Sequence, residues 1–441
     1  MELSASTDWF CRTDGSDLNG GGHVRGGDVS RVNTGTPLYT GTQGHGGSAD
    51  NNFVDVNATF TDNVIDANLR ISTGTNSLPG VYRVVSRTNS TTLVLNRPCG
   101  SAPTSNDLVY RIGGANATPG LVLGSVVAGN GLYIQSGTYD VTSTTPNVAN
   151  GRLQISVALS FISGYVTTPG DATLNGTRPI IRAAVNSVTL ITLSSNFGKV
   201  EHLIFDGNKA SHTGTAGVSG ANQSSWYNCL VRYCAGNGAN NSNGNWSFCS
   251  FIDNGGVGGV ARGFCHCVAK GNGSHGLQVG GGPCGVVKCL GYQNSGAGLN
   301  VANDALIDQC VFHGNGGDGI EVSNSVGITV SNTVMSGNVG FGVDDNGSTS
   351  NLRLFACAFH SNTAGQTRNA LATNLNPVTL TAGPFVDSAN DDFSLNSTAG
   401  GGADCRAAGF SGLPLPVAST NYCDIGAIQA EPQGNVFVIG D

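Results

Sequence analysis

The sequence predicts an all-β chain whose body is a parallel β-helix, a solenoid of short stacked strands. Three observations predict it: a glycine-rich, charge-poor composition, a motif recurring about every 21 residues, and an asparagine at a fixed place in each copy. Of 441 residues, 67 are Gly, 11% are charged and 39% are hydrophobic. Disordered chains carry more charge and less apolar content, so the chain is expected to fold. Gly at this level, with abundant Asn, Ser and Thr and no Gly-X-Y period, marks many short strands joined by tight turns. Helix is disfavoured almost throughout.

The motif is clearest in "CVFHGNGGDGIEV", residues 310–322. Copies run "CSFIDNGG" from 249, "CVAKGNGSHGLQV" from 267, "CLGYQNSGAGLNV" from 289, "TVMSGNVGFGVDD" from 333 and "CAFHSNTAG" from 357, with "CLVRYCAGNG" from 229 as a looser one. Asn254, Asn272, Asn294, Asn315, Asn338 and Asn362 each stand five residues after the cysteine-equivalent position. Their spacings of 18, 22, 21, 23 and 24 residues are too short for propeller blades and lack a leucine-rich pattern. They fit coils stacked about 4.8 Å apart, with equivalent residues forming ladders. Cys229, Cys249, Cys267, Cys289, Cys310 and Cys357 are then inward rungs, with Thr333 substituting once. Val231, Phe251, Ala269, Gly291, Phe312, Met335 and Phe359, two residues on, share that inward face. The Asn rungs are expected at a turn, in left-handed backbone, bonding coil to coil through their amides.

Opening coils are expected around "GNGLYIQSGTYDV" (130–141), "LSFISGY" (159–165) and "RPIIRAA" (178–184). The phrases "DGSDLNGG" (14–21) and "IQSGTY" (134–139) resemble those of the pectin-lyase-like right-handed β-helix superfamily, including phage and environmental virion spike or surface β-helix proteins. The resemblance covers roughly 116–370 and implies a right-handed coil stack; it supports a fold, not a reaction. Residues 52–112 instead read as alternating strands with Asn, Ser and Gly turns, a small antiparallel β module inserted ahead of the coils. The expected organisation is an N-terminal segment (1–43), an inserted module (44–115), a parallel β-helix (116–370) and a C-terminal cap (371–441) that shields the last coil.

A net charge of −8 without a basic cluster argues against nucleic-acid binding, and no apolar run approaches a membrane span. The opening "MELSASTDWFCRTDGSD" has neither the basic nor the apolar region of a signal peptide, so export is expected by another route, as for virion components, or with the leader lost. The thirteen cysteines fall at repeat spacing, so buried thiols are expected; Cys11, Cys99, Cys405 and Cys423 lie off the ladder and are the candidates for bridges. "CHC" (265–267) would put Cys265 and Cys267 on one strand face and His266 on the other, and no metal is expected there. His266, His275, His313 and His360 are read as surface residues. "GNGGDG" lacks the following helix that an anion-binding loop needs.

Chemistry is expected on one row. Gln278, Asn300, Glu321 and Asp344, each on the strand after the turn, should stack outward, flanked by Asp318 and Asp345. Such a row is a solvated face, a glycan-binding face, or a catalytic one in which Asp318, Glu321 and Asp344 supply paired carboxylates. Its acidic end could take Ca²⁺. No compact Asp/Asp/Arg set is evident, with Lys270 and Arg262 at other coil positions. Leu230, Val268, Leu290, Val311, Val334 and Ala358 form an outward apolar stripe, expected to be covered by a cap segment or by another subunit, with a homotrimer favoured. The expected role is an extracellular or virion-surface structural or adhesion protein of tailspike, fibre or capsid-attached type, partnered by polysaccharide or virion proteins. The alternatives are a polysaccharide lyase or glycosidase, and a self-assembling surface-layer component.

Overall fold

The computed structural model describes residues 7–143, 152–169, 171, 177–194, 198–220, 223–323, 327–345, 351–368, 373–406, 408–409 and 424–427. They divide into two compact units, one of residues 1–185 with 190–204 and one of 186–189 with 205–441.

In the first unit, the strand Thr7–Cys11 pairs in parallel with Gly131–Gln135, which pairs with Phe161–Tyr165, which pairs with Lys199–Glu201. The coil stack therefore begins at residue 7, before the insertion, and not at 116. All five residues of Thr7–Cys11 are buried, Phe10 stacking on Tyr133 with ring centroids 5.2 Å apart. Between these first two rungs lies a closed antiparallel barrel, in the order Tyr39–Gly46, Asn52–Val54, Thr92–Leu95, Gly80–Asn89, Asn68–Thr73, Leu108–Ile112 and back to the first. Closure leaves this small sheet no unpaired edge. Phe53, Phe60, Leu69, Ile71, Tyr82, Tyr110 and Ile112 fill it, and Phe10 of the first coil joins that core. The module thus starts at Tyr39, a few residues ahead of the expected boundary.

In the second unit each coil contributes three short strands, for example Asn245–Ser247, Ser250–Ile252 and Gly259–Ala261, to three parallel sheets. Two corners are left-handed. At the first, Asn228, Phe248, His266, Lys288, Gln309, Asn332 and Ala356 have φ between 47° and 54°, and the cysteine rung follows at once. The rung side chains point inward, and Cys249, Cys289, Cys310 and Thr333 accept the backbone N–H of the previous rung: Cys229 N to Cys249 Sγ at 3.4 Å, Cys267 N to Cys289 Sγ at 3.4 Å, Cys289 N to Cys310 Sγ at 3.5 Å, Cys310 N to Thr333 Oγ1 at 3.3 Å. A hydroxyl does the same work as a thiol, which explains Thr333. The described cysteines are thiols and not bridges; Cys11, Cys99 and Cys405 are buried in separate places, and Cys423 lies outside the described residues.

At the second corner the left-handed residue is the one before each asparagine: Asp253, Gln293 and Ser361 with φ of 51° to 54°, and Gly271, Gly314 and Gly337 with φ of 59° to 66°. The expected left-handed asparagine is corrected by one position. Freed from that role, each Asn turns inward and bonds along the stack. Asn272 Nδ2 donates to Asn294 Oδ1 at 2.9 Å and to Phe251 O at 3.0 Å, and Asn294 Oδ1 also accepts Asn272 N at 3.1 Å. The pattern repeats from Asn254 to Asn362. Val231, Phe251, Ala269, Phe312, Met335 and Phe359 are buried beside these rungs as expected.

The apolar stripe is covered by the chain itself. Leu290, Val311, Val334 and Ala358 share one core with Leu380, Phe385, Phe393, Leu395, Cys405, Ile425 and Ala427. Phe385–Asp387 and Asp392–Leu395 form a hairpin whose Phe393 packs edge-on against Tyr292 at 4.7 Å. The tail therefore lies along the flank of the coils, and the stripe lends no support to a subunit interface.

Candidate functional site

The row expected from the sequence is in register. Gln278 lies beside Asn300, Asn300 beside Glu321, Glu321 beside Asp344, and Asp344 beside Arg368. Each partner pair is in adjacent parallel strands of the third sheet, so side chains repeat at about 4.8 Å. The row is more recessed than a solvated face: Asn300 and Asp344 are each only 5% exposed, and Gln278 and Glu321 are half-buried. Ser323 Oγ donates to Asn300 Oδ1 at 3.3 Å. Asp345 departs from expectation. It aligns with Val322 on the inward side and is 1% exposed, so it does not flank the row.

A second row runs beside the first, along the turn that leads into the sheet. His275, Ala297, Asp318 and Phe341 occupy it, each carbonyl accepting the N–H of the glycine that follows its equivalent one coil earlier, as Gly276 N to Ala297 O at 2.9 Å and Gly298 N to Asp318 O at 2.9 Å. Glycine at the neighbouring turn positions makes room for these side chains. A Cβ at Gly340 would meet Asp318 Oδ1 at 2.2 Å, and one at Gly296 would meet His275 Nδ1 at 3.0 Å. The glycine burst in the motif is therefore partly a bed for the site.

The two rows bring Asp318, Glu321, Asp344, Arg368 and His275 together. Arg368 Nε donates to Asp344 Oδ1 at 2.6 Å, its NH2 nitrogen bonds Asp344 Oδ2, and its guanidinium carbon lies 5.5 Å from the Phe341 ring centroid. This bidentate pairing raises the Arg368 pKa. Asp318 accepts the Phe341 N–H at 2.6 Å. Burial raises its carboxyl pKa, with the negative charges of Asp344 and Glu321 adding to the effect and the Phe341 bond and Arg368 opposing it. His275 Nδ1 accepts Ala297 N at 3.2 Å, which holds the ring 3.7 Å from Glu321 Oε2.

Arg368, His275 and Phe341 were missed. The signal was in the sequence: Gln278, Asn300, Glu321, Asp344 and Arg368 each stand six residues after an Asn rung, and His275, Asp318 and Phe341 three after one. Lys270 and Arg262 are elsewhere, as expected, Lys270 pairing with Asp391 of the tail at 2.5 Å. Asp344 spends both oxygens on Arg368, and among the described residues no group of three or more His, Cys, Asp or Glu is set to hold a metal. His266 takes the left-handed corner, which breaks the alternation expected of "CHC": Cys265 is half-exposed while Cys267 is buried. His313 is half-buried and not fully at the surface; Ser336 Oγ lies 2.7 Å from its Nδ1 and the Phe385 and Phe393 rings pack against it.

Residues 280–374 match the family described as right handed beta helix region. The coil stack is a parallel β-helix. Solved structures to which this chain is similar include the A-module of mannuronan C-5 epimerase AlgE4 from Azotobacter vinelandii, 18% identical over 58% of this chain and 89% of that one, with a TM-score of 0.39. Pectate lyase Pel9A is 12% identical over 71% and 91%, with a TM-score of 0.47. Tailspike protein gp49 of Pseudomonas phage LKA1 is 9% identical over 82% and 66%, with a TM-score of 0.20. No match was found among curated protein sequences.

Proposed function

We propose that the protein binds an extended polysaccharide along the third-sheet row of its β-helix, as an extracellular or virion-surface component. One observation carries this reading: Gln278, Asn300, Glu321, Asp344 and Arg368 align on successive coils. A glycan chain presents hydroxyls at regular intervals, and a ladder of amides and carboxylates offers matching acceptors and donors without requiring a deep pocket. The half-buried state of Gln278 and Glu321 keeps their polar ends available while limiting the rotamer freedom lost on binding. Surface location follows as a proposal from the same ligand class.

The test is binding of alginate, polygalacturonate and a neutral β-glucan to the full chain, compared with Glu321→Gln and Gln278→Ala. Saturable binding to at least one polymer, weakened roughly tenfold or more by each substitution, supports the reading. Binding that both variants retain, or none to any polymer, overturns it.

A second reading, glycan cleavage, is favoured by Asp318. Its raised pKa, beside Glu321 and Asp344, is the property of a general acid that protonates a glycosidic oxygen. Release of reducing ends, or of unsaturated ends absorbing in the ultraviolet, that Asp318→Asn abolishes would favour it.

A further inference from the structure

The inserted barrel holds a polar depression of about 520 Å³, remote in sequence from the row and in the other compact unit. Tyr39, Gly41, Gln43, Asp55, Asn57 and Tyr110 are among its lining residues. We propose that this depression is a second saccharide site, one that takes a short, uncharged sugar unit independently of the coil face.

The strand Tyr39–Gly46 opens it. Its pairing with Leu108–Ile112 slips between Gly41 and Gly44, a bulge that bends the strand away at the barrel rim. Glycine is required there, because a Cβ at Gly41 would lie 2.2 Å from the Tyr110 ring and one at Gly44 would lie 2.4 Å from the Phe53 ring. The floor is fixed in place. Tyr110, 1% exposed, donates its hydroxyl to Asp55 Oδ2 at 2.8 Å, and the other Asp55 oxygen accepts Asn57 N at 2.9 Å. Tyr39 donates to Thr59 O at 2.8 Å and packs edge-on against Phe60 at 5.2 Å, which fixes its ring at the wall.

The mouth is made of amides and hydroxyls: Asn57 Nδ2 bonds Gln43 Oε1, with Thr40, Thr42 and Thr59 around them. Asp55 is the one carboxylate in this lining, and no Lys or Arg joins it, so the chemistry suits a neutral ligand rich in hydroxyls more than an anion. An aromatic wall with an amide pair and one buried carboxylate is a small number of fixed polar groups in a preformed hollow, within the size range of small-ligand sites. Displacing the Gln43–Asn57 contact with sugar hydroxyls leaves both amides satisfied.

The test is calorimetric titration of the full chain with glucose, galactose, N-acetylglucosamine, cellobiose and lactose. At least one sugar is expected to bind saturably. Gln43→Ala and Asn57→Ala are expected to weaken it roughly tenfold each, and Thr42→Trp, at an exposed rim position, to abolish it. Glu321→Gln is expected to leave it unchanged, which separates this site from the coil face. The absence of saturable binding by every sugar up to its solubility overturns the proposal. Binding that survives Thr42→Trp and Asn57→Ala with circular dichroism unchanged overturns it equally.

Discussion

Arg368 closes the polar row on Asp344, its Nε donating to Asp344 Oδ1 at 2.6 Å from the next coil. The Asp344 side chain is 7% exposed and that of Arg368 44% exposed, so the guanidinium is a lid over a nearly buried carboxylate. Replacing Arg368 with Gln leaves Asp344 without its bidentate partner, and the protein is expected to melt at a lower temperature and to bind glycan more weakly. Asp344→Asn with Arg368→Gln should recover part of the melting temperature, because the orphaned charge is gone, but not the binding. Thermal melts of the two variants, with binding measured in parallel, check this.

Asp318 predicts a pH dependence. Its carboxyl pKa is raised in the folded chain, so the folded state holds its proton more tightly than the unfolded one. Stability from this group is therefore full below the ordinary carboxylate range and falls as pH rises through the raised value. Asp318→Asn keeps an oxygen for the Phe341 N–H and carries no charge. The variant is expected to be more stable than the parent at neutral pH and equal to it in acid, read from denaturant midpoints across that range.

His313 has the opposite sign. Burial lowers its pKa, with His360 adding to the effect and Ser336 opposing it. The folded chain disfavours the charged ring, so stability present above the ordinary histidine range is lost as pH falls from that range through the lowered value. Gly337 and Ser336 face the ring from the next coil and Phe385 and Phe393 from the tail, so the first element to loosen should be the tail hairpin. Hydrogen exchange at Phe385 to Leu395 is expected to quicken in mild acid, and His313→Gln to flatten that response.

The asparagine ladder should dominate stability. Asn294 Nδ2 donates to Asn315 Oδ1 at 3.0 Å and to Ala269 O at 3.1 Å, while its oxygen accepts from Asn272. Asn294→Ala orphans several buried groups and should cost about 3 to 4 kcal/mol in urea unfolding. Cys310→Thr, copying the rung at Thr333, should cost far less.

The tail makes a further expectation. Phe393 is 1% exposed against Tyr292, and Phe393→Ala should cost about 3 kcal/mol and uncover Leu290, Val311 and Val334. The variant is expected to bind a hydrophobic dye and to self-associate, measured by light scattering.

The coils were legible because their repeat is written twice, in the cysteine rungs and in the Asn rungs, and a fixed period converts directly into register. The row Gln278 to Asp344 followed from the same period. Arg368 extends the row by one coil, at the offset from Asn362 that the other members keep from their own Asn rungs. His275 and Phe341 were hidden: turn residues carry no alternation, so nothing local says which way they point. The one-residue error at the second corner arose because Asn is a usual left-handed residue, yet here the amide ladder needs it inward and its neighbour takes the strain. The tail's place was illegible, since an apolar stripe records that it is covered and not by what.

The most direct test of the glycan-binding row is calorimetry of alginate, polygalacturonate and a neutral β-glucan against the full chain and against Glu321→Gln. The account predicts saturable binding to at least one polymer by the parent and a loss of roughly tenfold or more in the variant. Equal binding by the two proteins, or none by either, would contradict it.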